Sequence, residues 1–185
     1  MSDTTAAAAE PADETARPPG PYVSVAEEFD RFYLREYPRM VALAYALSGN
    51  RWAAEEIAQE ALIRAHRSWK KIVGYDKPGA WLRRVTVNLA TSRARRRIVE
   101  AKALTLAGVG RNYPLPEHPE DEVELWRAVT NLPRRQRQAV ALHYLDGYAV
   151  AEIAEVLEMG ESTVKTHLQR GREALARTLG PEAEA

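Results

Sequence analysis

Cysteine is absent from the 185-residue chain, which excludes disulfide scaffolds, thiolate metal sites and cysteine catalysis. Histidine is scarce, and none of the four histidines is spaced from another as metal ligands would be. No apolar run reaches the roughly 18 residues that a membrane span requires. The N-terminus also lacks the basic start and apolar segment of a signal peptide. We therefore expect a cytoplasmic protein that uses no cofactor.

Net charge is also absent, because 26 Lys and Arg balance 26 Asp and Glu. The charges are nevertheless segregated along the chain. Between Arg64 and Lys102 there are twelve basic residues and only two acidic ones, a net charge of +10. Acidic residues concentrate instead in the first 28 residues, around Glu55 and from Glu117 to Glu124. Such segregation is the electrostatic footprint of nucleic-acid binding, which an overall balance conceals.

Alternation of apolar and polar residues, the signal of β-strands, does not persist anywhere in the sequence. Helical spacing instead predicts an opening helix that Pro38 should kink or break. A second helix is predicted over about 51–70, and a third from Pro78 to the arginines at 95–97. The predicted class is all-α, with two small helical domains. The predicted segments are a disordered tail (1–23), a first domain (24–98), a flexible linker rich in Gly and Pro (99–119) and a second domain (120–180).

The most informative stretch lies in the second domain and reads as short helices that end in a helix-turn-helix. One helix should begin near Ala149, and after a break at Met159-Gly160 another should run over about 161–179. On this last helix one stripe should be buried, formed by Val164, Leu168, Gly171 and Leu175. The opposite face is short, polar and partly basic, which suits the floor of a DNA major groove.

Three groups of strings resemble sigma factors of RNA polymerase. Trp52-Ala-Ala-Glu-Glu-Ile-Ala-Gln-Glu-Ala-Leu62 is similar to the acidic motif of sigma region 2. Trp81-Leu-Arg-Arg-Val-Thr-Val-Asn-Leu89, followed by Arg93 and the arginines at 95–97, resembles the promoter-reading helix of that region. Leu-Pro-Arg-Arg-Gln-Arg (132–137), Glu-Ile-Ala (152–154) and Thr-Val-Lys (163–165) resemble region 4.

The order and spacing of these motifs, over about residues 25–179, resemble the two-domain extracytoplasmic-function (ECF) group, group 4 of the sigma-70 family. Within it, the Phe-x-x-Phe-Tyr and Gly-Asn-Arg-Trp-Ala-Ala strings are similar to the SigE-type branch common in actinobacteria. The resemblance implies a protein that binds core RNA polymerase, reads the minus-10 and minus-35 promoter elements and opens the DNA. It implies no covalent chemistry by the chain itself, and it allows for an anti-sigma factor as a further partner.

The acidic helix is the candidate polymerase-binding surface. Its residues are Glu55, Glu56, Gln59 and Glu60, which occupy neighbouring turns and so share a surface. Spacing alone favours a solvated helical face, and only the resemblance reverses this preference. The resemblance assigns this helix to a coiled coil of the largest polymerase subunit.

The basic third helix and the loop before it are the candidate minus-10 contacts. Arg83, Arg84, Thr91 and Arg95 are expected to point away from a buried stripe of Trp81, Leu82, Val85 and Leu89 and to neutralise phosphates. Asn88 lies near the edge of that stripe, where it could serve the minus-10 element or cap a neighbouring helix. In the loop, Lys71, Tyr75 and Lys77 have the chemistry to hold a flipped base, although a plain connecting loop is the alternative.

The second domain supplies the candidate minus-35 contacts. The expected groove-facing residues are Ser162, Thr163, Lys165, Thr166, Gln169 and Arg170. Arg135 and Arg137 are expected to contact the flanking phosphates. Two positions depart from the family pattern. Ala149 stands where a Ser N-cap is common. Glu158 stands where Gly is usual, so Gly160 is expected to adopt the left-handed backbone conformation of the turn instead.

Three of the four tryptophans could be mistaken for a base-stacking platform. Trp52, Trp69 and Trp81 lie on apolar stripes and are expected in the core, and Trp126 is expected to pack within the second domain. A stand-alone helix-turn-helix regulator that binds duplex DNA as a dimer remains the alternative function. An enzyme is disfavoured, because no glycine-rich phosphate loop and no catalytic constellation is present.

Overall fold

The computed structural model describes residues 25–106 and 120–180, and the regular structure in these two ranges is entirely helical. The helices are α1 (Val25–Ser48), α2 (Arg51–Arg67), α3 (Trp69–Ile72), α4 (Pro78–Leu106), α5 (Glu120–Asn131), α6 (Arg134–Tyr144), α7 (Val150–Leu157) and α8 (Glu161–Leu179). The predicted all-α class is therefore confirmed. The expected N-terminal tail and the second half of the expected linker lie outside the described residues.

The junction between α1 and α2 is built from two local signals. Gly49 has a φ of 64°, a conformation that a side chain would strain, and it lets the chain reverse direction. Asn50 then caps α2, because its Oδ1 accepts a hydrogen bond of 2.8 Å from the backbone N–H of Ala53. Helix α2 buries a run of alanines against the rest of the bundle, and these small side chains allow a close approach between helices.

Two features of this half differ from the sequence-based expectation, because Pro38 does not break α1 and α4 is longer than expected. Helix α1 continues through Pro38 without a break. Pro38 is exposed, so the carbonyl group that loses its N–H partner lies on the solvent side of the helix, where water can replace the bond. Helix α4 does not end near residue 98 but continues to Leu106, inside the segment expected to be linker.

The helix-turn-helix has the predicted bounds. Val164 and Leu168 are buried, and a Cβ at Gly171 would lie only 2.6 Å from Val140 Cγ2 on α6. Gly171 is therefore the residue that lets α8 pack closely on α6. The turn itself differs from the expectation, because Glu158 adopts the left-handed conformation (φ 53°, ψ 54°) whereas Gly160 is extended. A non-glycine residue in this conformation costs about 1–2 kcal/mol.

The N-terminus of α7 carries half of a capping box. The backbone N–H of Ala149 donates to Glu152 Oε2 at 3.0 Å, but the side chain of Ala149 has no oxygen to accept a hydrogen bond in return. We predict that Ala149→Ser raises the free energy of unfolding by about 1 kcal/mol, measured by urea denaturation. Ala151→Ser is the control, since this exposed residue lies inside α7 and serine is a poorer helix former there. Equal effects of the two substitutions would contradict the capping argument.

The two halves of the chain pack against each other. The rings of Tyr45 on α1 and Trp126 on α5 meet edge to face at 5.0 Å. A Cβ at Gly49 would lie 3.0 Å from Thr130 Cγ2, so the α1–α2 corner also fits tightly against α5. Buried residues of both halves form one continuous hydrophobic cluster. Trp126 thus also packs against the first half, a contact that the sequence does not predict.

Candidate functional site

The candidate polymerase-binding helix α2 presents its acidic residues at the surface, each paired with an arginine. Glu55 Oε1 lies 3.3 Å from Arg51 Nε, and Glu60 Oε1 lies 2.8 Å from Arg64 Nε. Glu56 pairs with Arg93 of α4. Gln59 is exposed between these pairs. Exposed ion pairs of this kind contribute only about 0–1 kcal/mol each, so a partner can rearrange them at low cost.

The same face carries two exposed apolar side chains that sequence reasoning missed. Trp52 is 78% exposed and Ile63 is 45% exposed, so the expectation that Trp52 lies in the core is wrong. Trp69 and Trp81 do pack on the core. At about 100° per residue, Trp52, Glu56, Gln59 and Ile63 all lie opposite the buried alanines of α2. A large aromatic and an aliphatic side chain on a charged surface are typical of a protein-binding face.

Arg83 is the main departure from the expected minus-10 surface. Its side chain is only 2% exposed and is held between the two halves of the chain. Its Nη1 donates to Glu36 Oε2 at 2.7 Å, and its Nη2 donates to Asp146 Oδ1 at 2.8 Å. Its guanidinium also lies over the Tyr148 ring, 5.0 Å from the centroid. The expectation that Arg83 points outward is therefore wrong, and in this conformation its side chain is closed to DNA.

Burial and ion pairing shift the pKa values of the carboxylates around Arg83 in opposite directions. Burial alone would raise the pKa of Glu36, but hydrogen bonds from Arg35 and Arg83 outweigh it and lower the pKa. For Asp146 burial prevails over the bond from Arg83, so its pKa is raised. Burial also raises the pKa of Tyr148 to about 12. The cluster holds one cation between two buried carboxylates, and its stability depends on that cation.

Three more of the expected minus-10 residues also contact the second half. Lys77 Nζ lies 3.0 Å from Glu152 Oε1, and this contact raises the pKa of Lys77. Arg84 pairs with Glu158 at 3.1 Å and also donates to the backbone carbonyl of Glu155. The hydroxyl of Thr91 accepts a hydrogen bond of 3.0 Å from the Gln138 side chain. The remaining candidates, Lys71, Tyr75, Asn88 and Arg95, are exposed.

The expected groove-facing side of α8 is open. Ser162, Thr163, Lys165, Thr166, Gln169 and Arg170 are all exposed. Thr166 donates to the carbonyl of Ser162 at 3.0 Å, and Gln169 donates to Glu173 at 2.9 Å, so both side chains are oriented along the helix. The face therefore has donors, acceptors and two cations within reach of base edges and phosphates.

The two expected phosphate contacts of α6 behave differently. Arg135 is exposed, and its Nη1 donates to the neighbouring Gln138 side chain at 3.3 Å. Arg137 is half-buried, and its Nη1 donates to the Thr130 carbonyl at 2.7 Å. Burial lowers the pKa of Arg137. Arg137 thus joins α6 to α5, and its expected contact with phosphate stays a prediction.

Neither a metal centre nor a membrane segment is apparent in the described ranges. Among residues 25–106 and 120–180, no group of three or more His, Asp or Glu side chains is arranged to hold a metal ion. Within the same residues, none of the helices combines the length and the apolarity that crossing a bilayer requires.

Together, these features define a helical DNA-binding protein with an open helix-turn-helix and a separate basic helix. The model of the family Sigma-70 region 2 matches residues 32–98, and that of Sigma-70, region 4 matches residues 122–175. The chain belongs to the ECF RNA polymerase sigma factors of the sigma-70 family.

Individual relatives support this placement. The chain is 33% identical to SigM of Mycobacterium tuberculosis over 82% of its own length and 77% of the relative. It is 32% identical to SigW of Bacillus subtilis, over 76% of this chain and 83% of the relative. It is also 34% identical to SigE of Mycolicibacterium smegmatis, over 80% of this chain and 60% of the relative. The SigE relative agrees with the branch that the motifs indicate, although SigM and SigW match about as well.

Solved structures show the same fold. The sigma factor RpoE, in complex with the anti-sigma factor NepR from Bartonella quintana, superposes with a TM-score of 0.71 at 23% identity, covering 83% of this chain and 97% of that one. The protein CnrH, in complex with the cytosolic domain of CnrY, gives a TM-score of 0.60 at 20% identity. This match covers 86% of this chain and 91% of the CnrH chain.

Proposed function

We propose that this sigma factor divides its work among three surfaces. The exposed face of α2, with Trp52, Gln59 and Ile63, docks on core RNA polymerase. The basic face of α4 and the loop before it contact the minus-10 element, and the polar face of α8 contacts the minus-35 element. The observation that carries this assignment is the open α8 face, whose polar residues are all available to a DNA groove. The chain acts in the cytoplasm and leaves the covalent chemistry to the polymerase.

Among the expected minus-10 residues, Arg83 has a different role in this proposal. Its bond to Glu36 lies within the first half of the chain, so this contact can persist when the halves separate. We assign Arg83 to positioning α4 against α1. Lys77, Arg84, Asn88 and Arg95 remain the proposed phosphate and base contacts, because they reach the surface of α4 or of its preceding loop.

A protein inhibitor is also part of the proposal. The solved relatives RpoE and CnrH are each seen with a second protein, and the first of these partners is named an anti-sigma factor. The exposed Trp52 and Ile63 give this chain an apolar surface that such a partner could cover in competition with polymerase.

The polymerase surface is tested by substituting Gln59 and Glu60. We predict that Gln59→Ala/Glu60→Ala lowers the affinity for core polymerase at least about tenfold, since a side chain near the centre of a contact face can contribute more than about 1 kcal/mol to binding. The measurement is a pull-down titration with core enzyme, followed by run-off transcription. The matched control is Glu124→Ala/Asn131→Ala, which likewise removes one carboxylate and one amide at exposed positions, here on α5. Binding of duplex DNA by α8 should stay unchanged in both variants, and unaltered polymerase affinity would contradict the assignment of α2.

A further inference from the structure

Helix α4 divides its C-terminal arginines between two sides. Arg95 lines the same surface as Arg84, which is a proposed DNA contact. Arg93, Arg96 and Arg97 line a separate cleft between α4 and α2, with a volume of about 540 Å³. At about 100° per residue, the midpoint of this set lies roughly 150° around α4 from Arg95. A DNA duplex that lies along the Arg95 side therefore leaves these three arginines on the far side of the helix.

The space between the two helices, which we refer to as the α2–α4 cleft, combines an apolar floor with charged walls. The floor is formed by Ile57 of α2, which is buried, and Leu89 of α4, which is partly buried. The walls carry both signs of charge, because Glu56 and Glu60 of α2 line the cleft together with the three arginines. Carboxylates in the wall would repel the phosphates of a nucleic acid. Arginines around an apolar floor are instead typical of a protein–protein contact.

The α2–α4 cleft is continuous with the proposed polymerase-binding face of α2. Glu56 and Glu60 belong to both, so a partner bound to α2 lies at the edge of the cleft. Arg93 pairs with Glu56 across the cleft, and Arg96 pairs with Glu100 on its own helix. Both pairs are largely exposed, so a carboxylate of a partner can replace the internal one at little cost.

We propose that the α2–α4 cleft is a second docking point for core RNA polymerase, which receives a carboxylate-bearing segment next to the segment that binds α2. This inference rests on the proposed role of α2. The acidic face of α2 attracts cations of the partner, whereas the arginines of the cleft attract its carboxylates, which they can bind with two parallel hydrogen bonds. Neighbouring surfaces of opposite charge fix the register of a partner, which one acidic face alone does not.

Arg96→Ala/Arg97→Ala tests the cleft, because both side chains are exposed and their loss leaves the floor unchanged. The chain has no cysteine, so the full-length protein can carry one dye at Ala176→Cys, an exposed position on α8. Fluorescence anisotropy then gives the affinity for core polymerase in the absence of DNA. The matched control is Arg95→Ala/Lys102→Ala, which removes two exposed cations from the opposite side of the same helix.

Arg96→Ala/Arg97→Ala should lower the affinity for core polymerase at least about fivefold, and the control should change it less than about twofold. Arg96→Lys/Arg97→Lys should bind more tightly than the alanine variant, because it keeps the charge. Arg96→Glu/Arg97→Glu should lose at least about 30-fold, because like charges would then face each other. Unchanged affinity in the alanine variant overturns the proposal, and so does an equal loss in the control. A glutamate variant that binds more tightly than the alanine variant also overturns it, since the partner would then not be acidic.

A DNA titration separates a polymerase contact from a phosphate contact. The probe is a fluorescent duplex 20-mer of mixed sequence, titrated between about 50 and 150 mM salt. Arg95→Ala/Lys102→Ala should reduce the slope of log affinity against log salt by about one to two, because each lost phosphate contact reduces it by about one. Arg96→Ala/Arg97→Ala should leave the slope unchanged. A reduction equal to that of the control would assign Arg96 and Arg97 to DNA and overturn the proposal.

Failure of the proposed function is read from the parent chain. A parent that does not bind core polymerase removes the sigma role and the docking cleft together. A parent that binds, and that loses affinity in Gln59→Ala/Glu60→Ala but not in Arg96→Ala/Arg97→Ala, keeps the proposed face of α2 and removes the cleft alone.

Discussion

Arg83→Met should lower the free energy of unfolding by about 3–5 kcal/mol, the largest effect on stability that we expect from a single substitution in this protein. The methionine fills much of the arginine volume but leaves the carboxylates of Glu36 and Asp146 buried without their shared cation. Glu36 retains a hydrogen-bonded partner, Arg35, at 2.8 Å. Urea denaturation followed by circular dichroism measures the loss.

Two further variants separate this effect from a general loss of charge. Arg35→Met removes a guanidinium that is 58% exposed and should cost less than about 1 kcal/mol. Arg83→Met/Glu36→Gln/Asp146→Asn removes the buried charges together and should recover most of the lost stability. A loss below about 1 kcal/mol for Arg83→Met alone would show that the two carboxylates reach water in solution.

The pH dependence of the Arg83→Met variant provides a second check. Without the cation, burial raises the folded-state pKa of Asp146 further above its unfolded value, so the folded state binds a proton more readily. The destabilisation should therefore be largest above the folded-state pKa of Asp146 and should shrink as the pH falls through it. In the parent protein the pKa of Glu36 is lowered, so its carboxylate stabilises the folded state above the unfolded-state pKa. This stabilisation is lost as the pH falls through the folded-state pKa.

The helix-turn-helix could be predicted from the sequence because its signals are local. A stripe at steps of four, three and four residues determines which side of α8 is buried, and Val164 and Leu168 are indeed in the core. The open side follows from the same geometry. Even the left-handed Glu158 could be anticipated as a strained position, although the sequence does not decide whether Glu158 or Gly160 adopts that conformation.

The residue type of Trp52 predicts burial, which is wrong, although its angular position on the helix predicts that it is exposed. Tryptophan is apolar and large, which favours the buried side of α2. Counting about 100° per residue from the buried alanines places it on the opposite side, beside Gln59 and Ile63. The angular position is the stronger signal, and it marks the apolar part of the proposed polymerase surface.

No local sequence pattern predicts that Arg83 is buried. Its two carboxylate partners are 47 and 63 residues away along the chain, on α1 and directly after α6. The buried side of α4 is also rotated from the expected stripe, since Thr86 and Val87 are buried while Trp81 and Val85 are only partly so. Burial of an arginine depends on which helices meet around it, and this follows from the packing of the two halves.

The second large effect concerns transcription. Lys165→Ala/Gln169→Ala should lower run-off transcription from a minus-35-dependent promoter by at least about 30-fold, because each side chain that contacts a base or phosphate contributes about 1–3 kcal/mol. Both residues are exposed, and neither belongs to the buried stripe of α8. The fold should therefore be unaffected, and the loss should appear in promoter binding by the holoenzyme.

The matched control for this prediction lies on the same helix. Arg177→Ala/Thr178→Ala removes one cation and one polar side chain from the last turn of α8, where both residues are exposed. It should leave transcription within about twofold of the parent, because the last turn lies about 12 Å along the axis from Gln169. Core polymerase should bind both variants equally, since α2 is untouched. If the two variants lose transcription to the same extent, α8 contributes through its charge alone, and the assignment of its polar face to base recognition would be wrong.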